Sequence, residues 1–210
     1  MYYRGVASVF DDLDKFVLIV GSRKAKPEEL GAAYALARKM VERGMIVVSG
    51  LADGVDTYAH RGALDAGGMT VGILANTPEK ATYPKSNIDL AERIVDHGAL
   101  LYPFITPQDE TVSWGLNHFQ RRLVERDCLQ AILCKKIFVV SDSATITGGT
   151  RYAVNYGKNA KHDVYRFDTN FKSHANPPAA NSGINWETEI NLFDRDFQPW
   201  TGPVARGQLL

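Results

Sequence analysis

The stretch from Met45 to Ile73, MIVVSGLADGVDTYAHRGALDAGGMTVGI, restricts the possible folds of this chain more than any other. It opens on Ile46-Val47-Val48, a β-branched apolar run too short for a helix, so a buried strand is expected there. Ser49-Gly50 ends the run, and Asp53-Gly54 prolongs the turn. Val55, Ala59, Ala63 and Ala66 then recur at helical spacing until Gly67-Gly68 stops them. Met69 to Leu74 is a second apolar strand. Strand, Gly-rich turn, helix and strand make one βαβ unit, whose turn falls where open α/β sheets bind ligands. Backbone N–H groups at the positive end of a helix, unshielded by side chains, suit a phosphate.

The rest of the chain repeats this alternation. Phe16 to Val20 is a core strand followed by the turn Gly21-Ser22-Arg23. Pro27 opens a helix with Leu30, Ala33, Tyr34, Ala37, Met40 and Val41 inward, and Gly44 stops it. Ser86 or Asn87 is placed to cap a helix that runs to Gly98, before a strand at Ala99-Leu100-Leu101. Val112 to Leu133 reads as a long helix after a loop with two prolines. Ile137 to Val140 is a further strand, Ser141 to Thr150 a second Gly-containing turn, Tyr152 to Gly157 a short helix, and Val164 to Phe167 a last strand. Short links between alternating elements imply an α/β fold, a Rossmann-like open and mostly parallel sheet with helices on both faces. Residues 1–15 lack periodicity and are expected to form an entry arm with one helical turn. Residues 1–168 form one domain without internal repeats. Residues 169–210 are a C-terminal extension, Pro- and Asn-rich from Ser173 to Gly183. Its Trp186, Ile190, Leu192, Phe193, Phe197 and Trp200 require docking on the core or on a partner subunit.

Composition narrows the class without choosing a ligand. The 210 residues are 45% hydrophobic and 23% charged, with 24 basic and 24 acidic side chains in balance. A nucleic-acid surface on such a chain has to be a local basic patch. No apolar run reaches the roughly 18 residues of a membrane helix, and no signal-peptide core follows the start. Cys128 and Cys134 are too few for a disulfide framework or zinc site. The expectation is a cytoplasmic protein that keeps away from membranes, with reduced thiols and neither metal nor cofactor.

Residues 49–57, SGLADGVDT, followed by Ala59-His60-Arg61-Gly62-Ala63-Leu64 and Ala66-Gly67-Gly68, resemble the DprA/Smf family of DNA-processing proteins. The similarity continues through Tyr83-Pro84-Lys85-Ser86-Asn87 and Leu90 to Ile94 to Gly98-Ala99-Leu100-Leu101, and reaches back to Val20-Gly21-Ser22-Arg23-Lys24-Ala25. It stops before the tail. Family members commonly carry small helical domains beside this core, for which this length leaves no room. The resemblance implies single-stranded DNA as ligand, a role in protecting incoming strands and loading a RecA-type recombinase, and a homodimer. It also implies that Arg23 belongs to the basic pocket that holds the strand. The family pattern Phe-Pro-x-Arg-Asn-Arg-Ile-Ile-Ala overlays residues 123–131, LVERDCLQA. Arg126 and Ala131 are kept, while Leu123 stands for the Phe, Asp127 for the Asn and Cys128 for the second Arg. Phe119, Arg121 and Arg122 lie one turn upstream.

Four loops fall on one edge of the expected sheet, and together they nominate a phosphate-binding rim. Its residues are Gly21, Ser22 and Arg23; Ser49, Gly50 and Gly54; Lys85 and Asn87; and Thr147, Gly148, Gly149 and Thr150, with Arg122 and Arg126 on the long helix. Asp56 and His60, four apart on the central helix, are read as supports, the carboxylate tying down the Gly loop. No hydrolase triad is visible. Two rival readings remain. One is a sensor or carrier of a free nucleotide. The other is an N-glycosidic hydrolase of nucleotides, since Thr147 to Thr150 also resembles the Gly-Gly-x-Gly-Thr loop of lysine-decarboxylase-like phosphoribohydrolases. Those enzymes place a Glu soon after the loop, whereas here none lies between Glu125 and Glu187. Asp56, Glu125 and Asp127 are then the candidate carboxylates.

Overall fold

The computed structural model describes residues 1–104, 118–142, 146–167 and 197–199. The strands are β1 (Tyr2–Gly5), β2 (Phe16–Gly21), β3 (Ile46–Ser49), β4 (Thr70–Ile73), β5 (Ala99–Tyr102), β6 (Lys136–Val140), β7 (Asp163–Phe167) and β8 (Phe197–Pro199). The helices are α1 (Pro27–Glu42), α2 (Val55–Asp65), α3 (Ile88–His97), α4 (His118–Leu133) and α5 (Gly148–Asn159). The strands form one sheet in the order β1-β5-β4-β3-β2-β6-β7-β8. Neighbours from β5 to β7 are parallel, and β1 and β8 close the two edges antiparallel. This is the α/β Rossmann-like architecture expected from the alternation of apolar runs.

Period-two alternation sorts the strand residues into two cores. Val17 and Ile19 of β2 pack with Leu36 and Met40 of α1 and with Val55, Ala59 and Ala63 of α2. Leu18 and Val20 of the same strand face Ala131 of α4 and Ala153 and Val154 of α5. Leu90 and Ile94 of α3 cover Leu74 and Leu100 in a third cluster. The chain builds outward from β2 on one side, then crosses to β6 on the other. The C-terminal ends of β2 and β6 therefore border the crevice where the winding reverses, the usual ligand site of such sheets.

Three expectations need correction. The entry arm contains an edge strand: Tyr2 pairs with Tyr102 and Gly5 with Ala99, followed by two short 3₁₀ turns at Ala7–Phe10 and Leu13–Lys15. An edge strand is held by backbone hydrogen bonds, so mostly exposed residues suffice and no apolar alternation announces it. The last core helix starts at Gly148, inside the turn expected to end at Thr150, because Thr147 already takes the extended N-cap conformation. Asn87 holds the N-cap position of α3 without a side-chain capping bond, and its Nδ2 instead donates to the Leu51 carbonyl and the Thr57 hydroxyl. Val112 to Asn117 of the expected long helix, and Trp186, Ile190, Leu192, Phe193 and Trp200 of the tail, lie outside the described residues. The described part of the tail, β8, pairs with β7 of its own chain. Among the described residues, no helix is long and apolar enough to cross a membrane.

Candidate functional site

The Gly-rich turn after β3 is closed from within. Asp56, on the first turn of α2, turns back over the loop. Its Oδ2 accepts hydrogen bonds from the N–H groups of Gly50 (3.1 Å) and Ala52 (3.3 Å). Gly54 permits this reversal with φ +80°, and a Cβ there would lie 2.3 Å from the Ser22 carbonyl oxygen. At Gly50 an added Cβ would lie 1.9 Å from Nη1 of Arg126. Only glycine admits the guanidinium to this spot. Arg126 Nη1 donates to the Gly50 carbonyl and to that of Ile73 at 3.3 Å, and its Nε lies 2.9 Å from Asp127 Oδ1. Ser49 is fully buried and its hydroxyl donates to the Ile19 carbonyl at 2.7 Å. The anion that the turn holds is thus the protein's own carboxylate.

Burial governs the acidity of this cluster. It pushes Asp56 up to about 6, against the opposing pull of Arg126 and with the help of Asp127. Burial likewise raises Asp127, offset by Arg126 and by Arg23. The floor of the site therefore loses its negative charge at a higher pH than exposed aspartates would. His60 is driven down to about 3 by burial and then by Arg126. Thr70 donates its hydroxyl proton to the Val47 carbonyl at 2.7 Å, so its oxygen must accept from Nδ1–H of His60 at 2.8 Å. His60 is a neutral core residue between α2 and β4.

The open part of the site lies above this floor. A cleft of about 580 Å³ is lined by the turn after β2, the inner face of α4 and the start of α5. Arg23, exposed on the β2 turn, and Thr147-Gly148-Gly149-Thr150 both line it, as does Arg151. Thr150 fixes the two walls together by donating its hydroxyl to the Gly21 carbonyl at 3.0 Å. Thr147 caps α5 without a side-chain bond, leaving the positive end of that helix without a side-chain cap. Asp127 stands close by: a Cβ on Gly149 would lie 2.5 Å from its Oδ2.

The nominated residues accordingly separate. Gly21, Ser22, Arg23, Thr147, Gly148, Gly149 and Thr150 share the cleft, with Asp56, Arg126 and Asp127 at its floor. Ser49, Gly50 and Gly54 do not line it. Asn87 is 2% exposed and donates to the Leu51 carbonyl (3.0 Å) and the Thr57 hydroxyl (2.8 Å), fastening α3 to the Gly loop. Lys85 is exposed and does not line the cleft. Arg122 is buried with its guanidinium 5.4 Å over the Phe104 ring. Glu125 points outward to Arg121 at 2.6 Å on the surface of α4. Sequence reasoning passed over Gln120, Gln130 and Tyr152, which also line the cleft. It also passed over Glu29, whose carboxylate accepts from the N–H groups of Lys26 and Asp142 and ties α1 to the segment after β6. A Glu at the third position of a helix opened by Pro27 was the available signal for Glu29.

Known proteins are similar to this chain in sequence and in fold. A DNA processing protein DprA, described as putative, from Mycobacterium tuberculosis is 32% identical over 136 residues. The match covers 65% of this chain and 33% of the relative, so the chain spans about a third of that protein's length. The X-ray structure of DNA processing protein A from Streptococcus pneumoniae superposes with TM-score 0.64 and 26% identity, covering 78% of this chain and 53% of the other. DNA processing protein A from Helicobacter pylori, whose structure addresses its single-stranded DNA binding mode, gives TM-score 0.65 and 21% identity over 79% of this chain and 70% of its own, a likeness of fold. The model of the family described as DNA recombination-mediator protein A matches residues 1–186, which takes in every element bordering the cleft. By that match the chain belongs to the DNA recombination-mediator protein A family.

Proposed function

We propose that the chain binds single-stranded DNA by its phosphates in the cleft between β2, α4 and α5, and serves by binding alone to shield a strand and hand it to a RecA-type recombinase. Family membership supports the DNA-processing role, and the Helicobacter pylori relative is a protein with a single-stranded DNA binding mode. The observation that carries the reading is the convergence of exposed Arg23 with the start of α5 in one open cleft. A guanidinium grips phosphate oxygens bidentately, and the helix dipole favours the same charge. The rim named above then contracts to Gly21, Ser22, Arg23, Thr147 to Thr150 and Arg151. Asp56 and Arg126 become supports for it.

The family expectations of a homodimer and a recombinase partner belong to this reading, as does the division into a core of residues 1–168 and a docked tail. Light scattering on the full chain and on one lacking residues 173–210 tests the tail: a dimer that becomes a folded monomer supports a tail-assisted interface, and one unchanged mass opposes it. A second reading, a site for a free nucleotide, is favoured by one observation. Asp56 and Asp127 line the cleft, and carboxylates repel a polyphosphate strand but accept hydrogen bonds from sugar hydroxyls. Competition separates the two. A labelled oligodeoxynucleotide should resist displacement by mononucleotides and bind more tightly as it lengthens. Equal competition by a mononucleotide supports the second reading, and release of free base on incubation makes the site a glycosidase.

A further inference from the structure

The phosphate site leaves the bases of a bound strand without a partner, and Leu123 offers no ring for them. An aromatic surface stands elsewhere on the same rim. Tyr83, on the loop between β4 and α3, is 48% exposed. Its ring meets Phe119, on the first turn of α4, edge to face with centroids 5.0 Å apart and planes at 84°. The two rings, with Pro84 and Leu123, border a hollow of about 10 Å³ that also includes Arg23 and Arg126. The hollow adjoins the main cleft, since Arg23, Ala52, Leu123 and Arg126 line both. It is too small to admit a base. What it offers is a ring held in place from one side and open to water on another, beside the arginine that would hold the phosphate. A lone exposed tyrosine needs no explanation; one buttressed by a second ring at this address does.

We propose that Tyr83, backed by Phe119, is a stacking platform for an unpaired nucleobase, so that a strand anchored by a phosphate at Arg23 lays a neighbouring base on the Tyr83 ring. This rests on reading the cleft as a single-stranded DNA site. Stacking on a ring is indifferent to base identity, because every base has a π face, and it is denied to paired bases. The platform thus supplies selection for single strands without sequence preference. Tyr83 offers, from the loop between β4 and α3, the ring that Leu123 does not offer from α4.

The test compares a short fluorescent oligodeoxythymidine with an abasic strand of the same length and charge, by anisotropy titration with the full chain. The native protein should bind the base-bearing strand about tenfold more tightly than the abasic one. Tyr83→Ala should weaken only the base-bearing strand and bring the ratio close to unity, whereas Tyr83→Phe should keep it. Arg23→Ala should weaken both strands alike and leave the ratio unchanged. Equal native affinity for both strands, or an undiminished ratio in Tyr83→Ala, overturns the platform while the phosphate site stands. Failure of the native chain to bind either strand overturns both.

Discussion

The floor and the rim of the cleft are built from the same kinds of residue and put to opposite uses. At the floor, Arg126 bonds to the Gly50 carbonyl beneath it and pairs with Asp127, and the loop N–H groups that look made for a phosphate are taken by the Asp56 carboxylate. On the rim, Arg23 and the start of α5 are exposed to water, with the Asp127 carboxylate close by. A guanidinium 4% exposed and bonded to two carbonyls holds loops in place, and one on an exposed turn is available to a ligand. Motif membership does not distinguish them. Burial does.

The largest break in the comparison is expected from Arg126→Ala. Two aspartates lose the buried cation between them, and removing one partner of such a cluster costs about 3–5 kcal/mol. Urea unfolding should show this loss, growing as pH rises and the acids ionise. A deficit under 1 kcal/mol on that scale would mean that the floor is solvated.

Titration of the floor sharpens the same point. The Asp56 carboxyl is held near 6 in the folded chain against an ordinary 3.8. The folded state therefore binds this proton more tightly than the unfolded state, and the contribution to stability is full below pH 3.8 and is lost as pH rises to about 6. Asp56→Asn lacks that loss. Its stability minus that of the native chain should rise by up to about 3 kcal/mol between pH 4 and 6 and then level off. A flat difference contradicts the burial assigned to Asp56. His60 acts with the opposite sign: held near 3, it contributes fully above its ordinary 6.5 and loses that contribution as the pH falls.

A smaller structural effect is expected at Gly50→Ala. The new methyl meets the Arg126 guanidinium, and overpacking of this kind costs about 1–3 kcal/mol. Thermal melting checks it. Loss of DNA affinity should follow only as far as α4 is displaced, because Gly50 does not line the cleft.

Much of the fold was legible because a parallel core strand announces itself: Phe16 to Val20, Ile46 to Val48 and Ile137 to Val140 are unbroken apolar runs. β1 was not, since its pairing uses the backbone and its side chains stay largely exposed. The start of α5 was hidden by Gly148 and Gly149, whose weak helix propensity reads as turn. The position of Arg23 on the cleft was legible from its place just after a strand. The bonds of Arg126 to Gly50 and Ile73 were not legible, because those partners are 76 and 53 residues away in the chain and no local pattern brings them together. Tyr83 lay in a proline-containing loop whose spacing gave no hint of Phe119.

The central claim is that phosphate binding belongs to the rim, and salt dependence of single-stranded DNA affinity tests it most directly. For the native chain, log Kd against log salt should be steep, with a slope near 0.7 for each phosphate neutralised. Arg23→Ala should bind about 1–3 kcal/mol more weakly with an unchanged melting temperature, and its slope should fall by about 0.7, the share of one phosphate. An unaltered slope and affinity in Arg23→Ala, or a native slope near zero, would contradict the account.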